Sequence, residues 1–239
     1  MSSKDDLFQA AADEFANLAL STVRDHGHFT VALSGGSTPK GMHELLSSGA
    51  FPKIPWDKIF FFFGDERYVP PDHPESNYRM ANETLLSKVG AKHVFRMPTE
   101  ERDPEVAARA YEVTLVEQFH LSPGEFPRFD LIILGLGPDG HTASLFPASR
   151  ALDEEKHMVV ANWVEKFQSY RITLTYPVIN NAANVTFLVS GSDKTPALHR
   201  IFEENANLPA RRIQPEQGRL LWLLDRAAAG TVSFPANLG

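Results

Sequence analysis

The chain has 239 residues, of which 43% are hydrophobic and 22% charged, and these ordinary globular values exclude disordered, coiled-coil and collagen-like classes. A net charge of −7 argues against a general binder of nucleic acid or anionic membranes. The absence of cysteine excludes disulfides, thiol catalysis and Cys-based metal sites. Because the first residues lack signal-peptide features and no apolar run is long enough for a membrane span, we expect a cytoplasmic protein.

The first third of the chain alternates a predicted helix, strand and helix. Apolar residues at helical spacing over 7–23 predict an amphipathic helix that ends near Gly27. The apolar run 29–33 predicts a strand that leads through a Gly/Ser/Thr turn into a helix with Pro39 in its first turn. Residues 59–63 are five apolar residues without polar alternation, which is typical of a strand covered on both faces of its sheet.

The rest of the chain continues this alternation. Helical periodicity covers 76–89 and 104–119, and a further apolar strand leads into the Gly-rich segment 135–142. Strands alternating with helices predict an α/β fold with a mostly parallel sheet and a small appended lobe, in one domain over residues 1–239. We also expect strands at 158–162, 171–175, 184–191 and 219–225, with helices after Gly191 and at the C-terminus.

In open parallel sheets ligands bind beyond the carboxyl ends of strands, and the first such end holds Ser34, Gly35, Gly36, Ser37 and Thr38. Glycines, hydroxyls and a helix N-terminus at one point suit a phosphate group. The same residues also suit an ordinary strand-to-helix turn that Ser37 or Thr38 caps. The turn lacks the GK[ST] ending of a P-loop, which argues against a nucleoside triphosphate.

The second strand end carries Asp65, Glu66 and Arg67 directly after the apolar run. A carboxylate and a guanidinium at the mouth of a buried strand can act on a ligand. The alternative is a solvated loop with a surface ion pair, which is the commoner fate of charges after strands.

The third strand end matches G-x-G-x-x-G over residues 135–140. We reject a dinucleotide site because Pro147 cuts the following helix short and Asn162 stands where a ribose-binding carboxylate is needed. Asp139 and His141 are the stronger feature, since histidine suits proton transfer near neutral pH and a nearby carboxylate can fix its tautomer. The alternative is a surface histidine in a polar turn.

The fourth strand end comprises Arg171 and Lys194, which could supply cations to a phosphate although each alone is more commonly a surface charge. His26 with His28, or His43 with Glu44, do not complete a metal-ligand set. No G-x-S-x-G motif is present, which leaves no serine-hydrolase signature. We therefore expect no metal and no cofactor.

Four segments together resemble the 6-phosphogluconolactonase family: ALSGGSTPKGMHELL, FFFGDERYVPPDHPESNYRMANETLL, DLIILGLGPDGHTASLFP and LVSGSDKTPAL. The resemblance runs in order from about residue 8 to the LPARRIQP and LLWLLD segments, so it covers nearly the whole chain. It implies a Rossmann-like, doubly wound α/β fold of the NagB/RpiA/CoA transferase-like group, which glucosamine-6-phosphate deaminase shares. The deaminase pattern has DEY and HIAFNEP where this chain has DERY and HTASLFP, and both differences favour the lactonase.

The resemblance implies hydrolysis of 6-phospho-D-glucono-1,5-lactone to 6-phospho-D-gluconate in the oxidative pentose phosphate pathway. Our hypothesis is that His141 takes a proton from water, oriented by either Asp139 or Asp65. Arg67 stabilises charge on the carbonyl oxygen or holds a substrate hydroxyl. The turn over residues 34–38, with Arg171 and Lys194, binds the phosphate.

Two other functions are weighed against this one. A deaminase or isomerase of amino sugar phosphates would use Asp65 for proton transfer at carbon. A non-catalytic sugar-phosphate sensor would normally carry a DNA-binding module, and a single helix precedes the first predicted strand. We therefore expect an enzyme that acts on a small molecule as a monomer, with no nucleic-acid or membrane partner.

Overall fold

The central feature of the computed structural model, which describes residues 1–234, is a sheet of six parallel strands in the order β4-β2-β1-β5-β8-β9. The predicted domain also includes residues 235–239, which lie outside the described residues. The nine strands of the structure are β1 (Phe29–Leu33), β2 (Ile59–Phe63), β3 (Asp65–Arg67), β4 (His93–Val94), β5 (Leu131–Leu134), β6 (Val159–Val164), β7 (Ser169–Leu174), β8 (Asn184–Val189) and β9 (Arg219–Leu224).

The order of the strands makes this sheet doubly wound. From β1 the chain moves outward through β2 and β4, then returns to the other side of β1 and continues through β5, β8 and β9. The direction in which successive strands are added to the sheet reverses between β1 and β5, and these two strands pair in parallel. The loops after these two strands therefore diverge and leave a crevice at their carboxyl ends. The expected mostly parallel, Rossmann-like sheet is confirmed.

The helices begin and end at residues with suitable capping chemistry. Ser3 and Asp6 form a capping box at the start of α1, and Gly27 ends this helix in the left-handed conformation. Asp103 caps α4, whose first residue is a proline. The helices are α1 (Lys4–His26), α2 (Ser37–Leu46), α3 (Asn77–Ala81), α4 (Pro104–Phe119), α5 (Tyr176–Asn180), α6 (Thr195–Phe202) and α7 (Arg226–Ala229).

The hydrophobic core lies between the parallel sheet and the helices that cover it. All five residues of β1 are buried, and Phe61, Phe62 and Phe63 of β2 are buried beside them. Phe62 packs edge-on against Phe129, with ring centroids 5.3 Å apart. This burial on both faces explains why the strands read as unbroken apolar runs. Within residues 1–234, no helix is both long and apolar enough to cross a membrane.

A second sheet of three antiparallel strands, in the order β3-β7-β6, forms the small lobe. Gly64 joins the two sheets, because its N–H donates to Leu33 (2.9 Å) and its carbonyl accepts from Leu174 (2.9 Å). The alternative of a solvated loop after residue 63 is therefore wrong: Asp65–Arg67 is a short strand that pairs with β7. Arg171 also lies in the middle of β7, not at the opening of a strand.

Two predicted helices differ from the structure. The segment 76–89 contains only the short α3, and a π-helical turn follows over Asn82–Leu86. The hydroxyl of Thr84 donates to the Met80 carbonyl (2.7 Å) within this region, and such bonds compete with regular helix bonding. Residues 138–149 form turns and no helix, so the G-x-G-x-x-G match leads into a loop.

Candidate active site

A cavity of about 380 Å³ opens at the reversal point between β1 and β5. Such a crevice is the usual ligand site of a doubly wound sheet. The cavity is lined by most of the predicted site residues, namely Ser34, Gly35, Gly36, Asp65, Arg67, His141, Arg171 and Lys194. Ser37 and Thr38 fall outside its lining, and Asp139 lies behind His141.

The turn after β1 presents backbone to the cavity. Ser34 is buried, and Gly36 has a φ of 99°, which favours glycine. Helix α2 then begins at Ser37 without a side-chain hydrogen bond at its N-terminus, so the predicted alternative of a Ser37 or Thr38 cap is not seen. A Cβ on Gly35 would lie 1.8 Å from the side-chain oxygen of Asn77. The turn therefore combines close packing with uncapped N–H groups that suit an anion.

A tight turn after β5 positions the histidine. The N–H of Gly140 donates to the carbonyl of Gly137 (3.0 Å), and the N–H of Gly137 donates to the carbonyl of His141 (2.8 Å). Gly140 has a φ of 82°, and a Cβ on Gly137 would lie 2.0 Å from Nδ1 of His141. Both glycines are therefore needed for the imidazole to occupy this place.

Asp139 and His141 form a hydrogen-bonded pair between Oδ1 and Nδ1. This bond holds the pKa of Asp139 well below its usual range, with further help from the charge of nearby Lys166. An ionised Asp139 accepts the proton on Nδ1, which leaves Nε2 of His141 as the basic atom. The ring of Phe146 stacks on the imidazole at 4.1 Å between centroids and fixes its plane.

Asp65 lies elsewhere in the cavity wall and contacts neutral donors. It is buried, and its Oδ2 accepts from the hydroxyl of Ser144 at 2.6 Å. The amide of Asn77 donates to the Asp65 carbonyl at 2.9 Å and lies 3.5 Å from its Oδ1. Of the two carboxylates left open as partners of His141, the structure brings Asp139 into contact with it. The alternative of an exposed Asp65–Arg67 ion pair does not fit, because the aspartate is buried with other partners.

Two arginines from the small sheet face each other across neighbouring strands. Arg67 and Arg171 are register partners in the β3–β7 ladder, and both line the cavity. Nη1 of Arg67 donates to the carbonyl of Glu75 (2.5 Å), and the guanidinium of Arg171 lies over the ring of Phe167 (5.3 Å). Burial, and then the charge of Arg67, lower the pKa of Arg171. Among residues 1–234 neither arginine forms a salt bridge, so this wall attracts an anion.

Lys194 reaches the cavity from the loop after β8. Its Nζ pairs with the carboxylate of neighbouring Asp193 at 2.8 Å. Asp225 anchors the same loop, because its carboxylate accepts hydrogen bonds from the hydroxyl of Ser190 (2.5 Å) and the N–H of Gly191 (3.2 Å). Lys194 therefore adds a cation to the lining of the cavity.

Several residues of the cavity wall were not predicted from the sequence. Asn77 and Ser144 lie in segments that carry the family resemblance, but no role was predicted for them. The motifs SNY and HTAS, which contain these two residues, were therefore the sequence signal from which a role could have been predicted. The other unassigned residues with side chains at the wall include Glu75, Phe146 and Phe167. In the part of the chain that the structure describes, no group of three His, Asp or Glu side chains is arranged to hold a metal ion.

The chain is similar to known proteins in both sequence and fold. Residues 2–222 match the model of the family described as glucosamine-6-phosphate isomerases/6-phosphogluconolactonase. The chain is 47% identical to a 6-phosphogluconolactonase of Nostoc sp. over 88% of both chains. Its fold superposes on 6-phosphogluconolactonase from Trypanosoma cruzi with a TM-score of 0.86, 30% identity, and 96% and 94% of the two chains covered. A monomeric glucosamine-6-phosphate deaminase of the NagB superfamily, at 22% identity and a TM-score of 0.79 over 96% and 97% of the two chains, shares the fold.

Proposed function

Since the chain belongs to the glucosamine-6-phosphate isomerase/6-phosphogluconolactonase family, we propose that it hydrolyses 6-phospho-D-glucono-1,5-lactone to 6-phospho-D-gluconate. This reaction is a carboxylic ester hydrolysis of the oxidative pentose phosphate pathway. The observation that carries the proposal is one cavity that joins a His141–Asp139 pair to two arginines without carboxylate partners among residues 1–234. The name of the 47% identical relative supports the same substrate.

In the proposed mechanism His141 is the general base. Its Nε2 takes a proton from water as the water oxygen attacks the lactone carbonyl carbon, which becomes tetrahedral. Asp139 holds the other ring nitrogen and stabilises the imidazolium that forms. When the ring C–O bond breaks, the imidazolium returns the proton to the departing ring oxygen. The sum is one water consumed, one ester bond broken, and a carboxylic acid and a hydroxyl formed.

Arg67 is proposed to stabilise the negative charge that develops on the carbonyl oxygen, or to hold a substrate hydroxyl. Its guanidinium lies at the cavity wall with Nη1 bonded to the Glu75 carbonyl, which leaves other N–H groups for the substrate. A preorganised donor of this kind acts on the transition state without reorganising. Asp65, held by Ser144, is proposed to fix the wall between this arginine and the histidine.

The phosphate of the substrate is proposed to bind at the turn after β1, together with Arg171 and Lys194. Ser34, Gly35 and Gly36 lead into the uncapped N-terminus of α2, where Ser37 and Thr38 contribute their backbone N–H groups. Arg171 and Lys194 add two cations. Because the phosphate is remote from the reacting carbon, its binding energy positions the ring for attack.

We further propose that residues 1–239 act as one domain and as a cytoplasmic monomer on this small molecule. The charge of −7 opposes binding of extended polyanions, whereas the cavity concentrates its cations on one phosphate. The scheme implies no metal or organic cofactor, because His141 is proposed to activate the water and Arg67 to stabilise the carbonyl oxygen.

A coupled assay tests the proposal. Freshly made 6-phosphogluconolactone is mixed with the protein, and formation of 6-phosphogluconate is followed through its dehydrogenase, with the spontaneous rate subtracted. We expect product to form well above that rate, and no ammonia from glucosamine 6-phosphate. Lactone decay at the spontaneous rate together with ammonia release would instead support a deaminase, in which Asp65 transfers a proton at carbon.

A further inference from the structure

A buried carboxylate beside the cavity collects four hydrogen-bond donors. Glu66 is 2% exposed and does not line the cavity. Its Oε1 accepts from the N–H groups of Arg67 (2.8 Å) and Asn77 (2.7 Å). Its Oε2 accepts from the N–H of Tyr78 (2.7 Å) and the hydroxyl of Ser76 (3.1 Å). Both oxygens are therefore fully used by donors that surround them.

These donors lie at the two ends of one loop. Arg67 ends β3, whereas Asn77 begins α3, and the loop 68–76 runs between them. Glu66 thus ties the strand to the start of the helix and closes the loop at its base. Its carboxylate also stabilises the N-terminal N–H groups of this short helix.

The closed loop sets the positions of two cavity side chains. Nη1 of Arg67 bonds to the Glu75 carbonyl, so the place of the loop decides where this guanidinium points. The amide of Asn77 donates to the Asp65 carbonyl (2.9 Å) and packs against the backbone of Gly35. A shift of the loop would move both side chains relative to the His141 side of the cavity.

We propose that Glu66 is a positioning residue for the lactone hydrolysis: it clamps the loop 68–76 so that Arg67 and Asn77 keep their places in the cavity. This inference rests on the proposed function, and it assigns a role to a residue that touches neither substrate nor histidine. Four donors around two oxygens suit an ionised carboxylate, and the N–H bonds of Tyr78, Asn77 and Arg67 favour this form against the burial that raises the pKa of Glu66. Glutamine would turn an NH₂ group toward two of the donors, and aspartate is shorter by one methylene group.

The test compares Glu66→Gln with Glu83→Gln. Glu83 is an exposed carboxylate that pairs with Arg79 nearby, so its substitution controls for loss of charge in this region. For Glu66→Gln we expect kcat/KM to fall about 10- to 100-fold, because small misplacements of catalytic groups carry costs of this size. Inhibition by inorganic phosphate should weaken less than kcat/KM falls, because Glu66 reaches the turn at Ser34–Gly36 only indirectly, through Asn77. Peptides over 67–78 should exchange amide hydrogen faster, whereas β1 should not change.

Wild-type kinetics and wild-type exchange in Glu66→Gln would overturn the clamp. A uniform loss of exchange protection, together with phosphate inhibition weakened as much as kcat/KM, would show a merely structural role for Glu66 and would overturn the clamp as well. If Glu66→Gln does not fold, Ser76→Ala removes one of the four donors and should show the same pattern at smaller size. Absence of lactonase activity in the wild-type protein would overturn the proposed function, whereas an active wild type with an unaffected Glu66→Gln overturns only the role of Glu66.

Discussion

The two sheets contribute different chemistry to one cavity. The parallel sheet contributes loops at the ends of its strands, which present N–H groups near Gly36 and the His141–Asp139 pair. The small antiparallel sheet contributes charged side chains, and Arg67 and Arg171 are held by the register of their ladder. The position of the proposed base, His141, thus depends on glycine-rich turns, whereas the positions of the two arginines depend on strand pairing. Substitutions in the two regions should therefore impair the protein in different ways.

Asp139→Asn should have the largest effect of the substitutions on the orienting and binding residues. An amide would no longer fix the imidazole tautomer or stabilise the imidazolium, so we expect kcat to fall by about 10² to 10⁴ with little change in KM. Steady-state hydrolysis of the lactone measures this. Asp13→Asn, an exposed aspartate of α1, should behave as wild type. An unaltered kcat in Asp139→Asn would remove the pair from the mechanism.

Arg171→Gln should mainly weaken binding. Loss of a charged hydrogen bond to phosphate is worth about 1.5–3 kcal/mol, so KM should rise about 10- to 100-fold while kcat is largely kept. Arg200→Gln, which removes an exposed arginine from α6, controls for net charge. If instead kcat collapsed at constant KM, Arg171 would belong to the chemistry and the phosphate assignment would be wrong.

Gly35→Ala tests the contact between the two regions. The new Cβ would displace the Asn77 amide and break its bond to Asp65, so we expect a loss of about 1–3 kcal/mol in the free energy of unfolding. Gly135→Ala, where an added Cβ meets no atom within 4 Å, should keep wild-type stability in the same denaturant titration. Truncating Asn77 as well should recover part of the loss. Equal stability of the two glycine variants would contradict the described packing.

His43 lies outside the cavity, where it is fully buried on the covered face of α2. Burial lowers the pKa of His43 to about 4, from 6.5, and its Nε2 has no hydrogen-bond partner among residues 1–234. The folded state therefore keeps His43 neutral. Above pH 6.5 the neutral form costs no stability, because His43 is neutral in the unfolded chain as well. Between pH 6.5 and 4 the unfolded chain binds a proton at His43 and the folded state does not. The free energy of unfolding therefore falls, by about 2 kcal/mol at pH 5.

Unfolding by denaturant at pH 7 and pH 5 measures this loss. His43→Leu should show a smaller difference between the two pH values than the wild type, whatever its absolute stability. His26→Gln, at the exposed end of α1, should keep the full difference. An unchanged pH dependence in His43→Leu would show that other groups carry the acid sensitivity.

The sequence predicted the parallel sheet and its loops well for a physical reason. A strand buried on both faces is unbrokenly apolar, and the glycines that let His141 and the turn at Ser34–Gly36 approach one point are visible as Gly-rich strand ends. The histidine and its neighbouring aspartate are local in sequence. Their pairing could therefore be proposed before any distance was known, although the choice between Asp139 and Asp65 could not be made.

The small sheet was predicted less well. Its strand Asp65–Arg67 is three residues long, which is too short for a periodic pattern. The residues of an extended segment also do not reveal which other strand it pairs with. Antiparallel pairing places Arg171 beside Arg67, and packing places Asn77 against Gly35. Contacts between segments distant in sequence follow from tertiary structure, so Glu66 and Asn77 could be given roles only from the structure.

His141 is proposed to activate water against the lactone, and the most direct measurement of this role is the hydrolysis rate of His141→Ala beside the wild type. Both proteins are assayed on freshly made 6-phosphogluconolactone at matched concentration, with the spontaneous rate subtracted. We predict a kcat lower by about 10² to 10⁴ and a KM close to wild type, because the turn and the arginines still bind the phosphate. A near-wild-type kcat in His141→Ala would contradict the account.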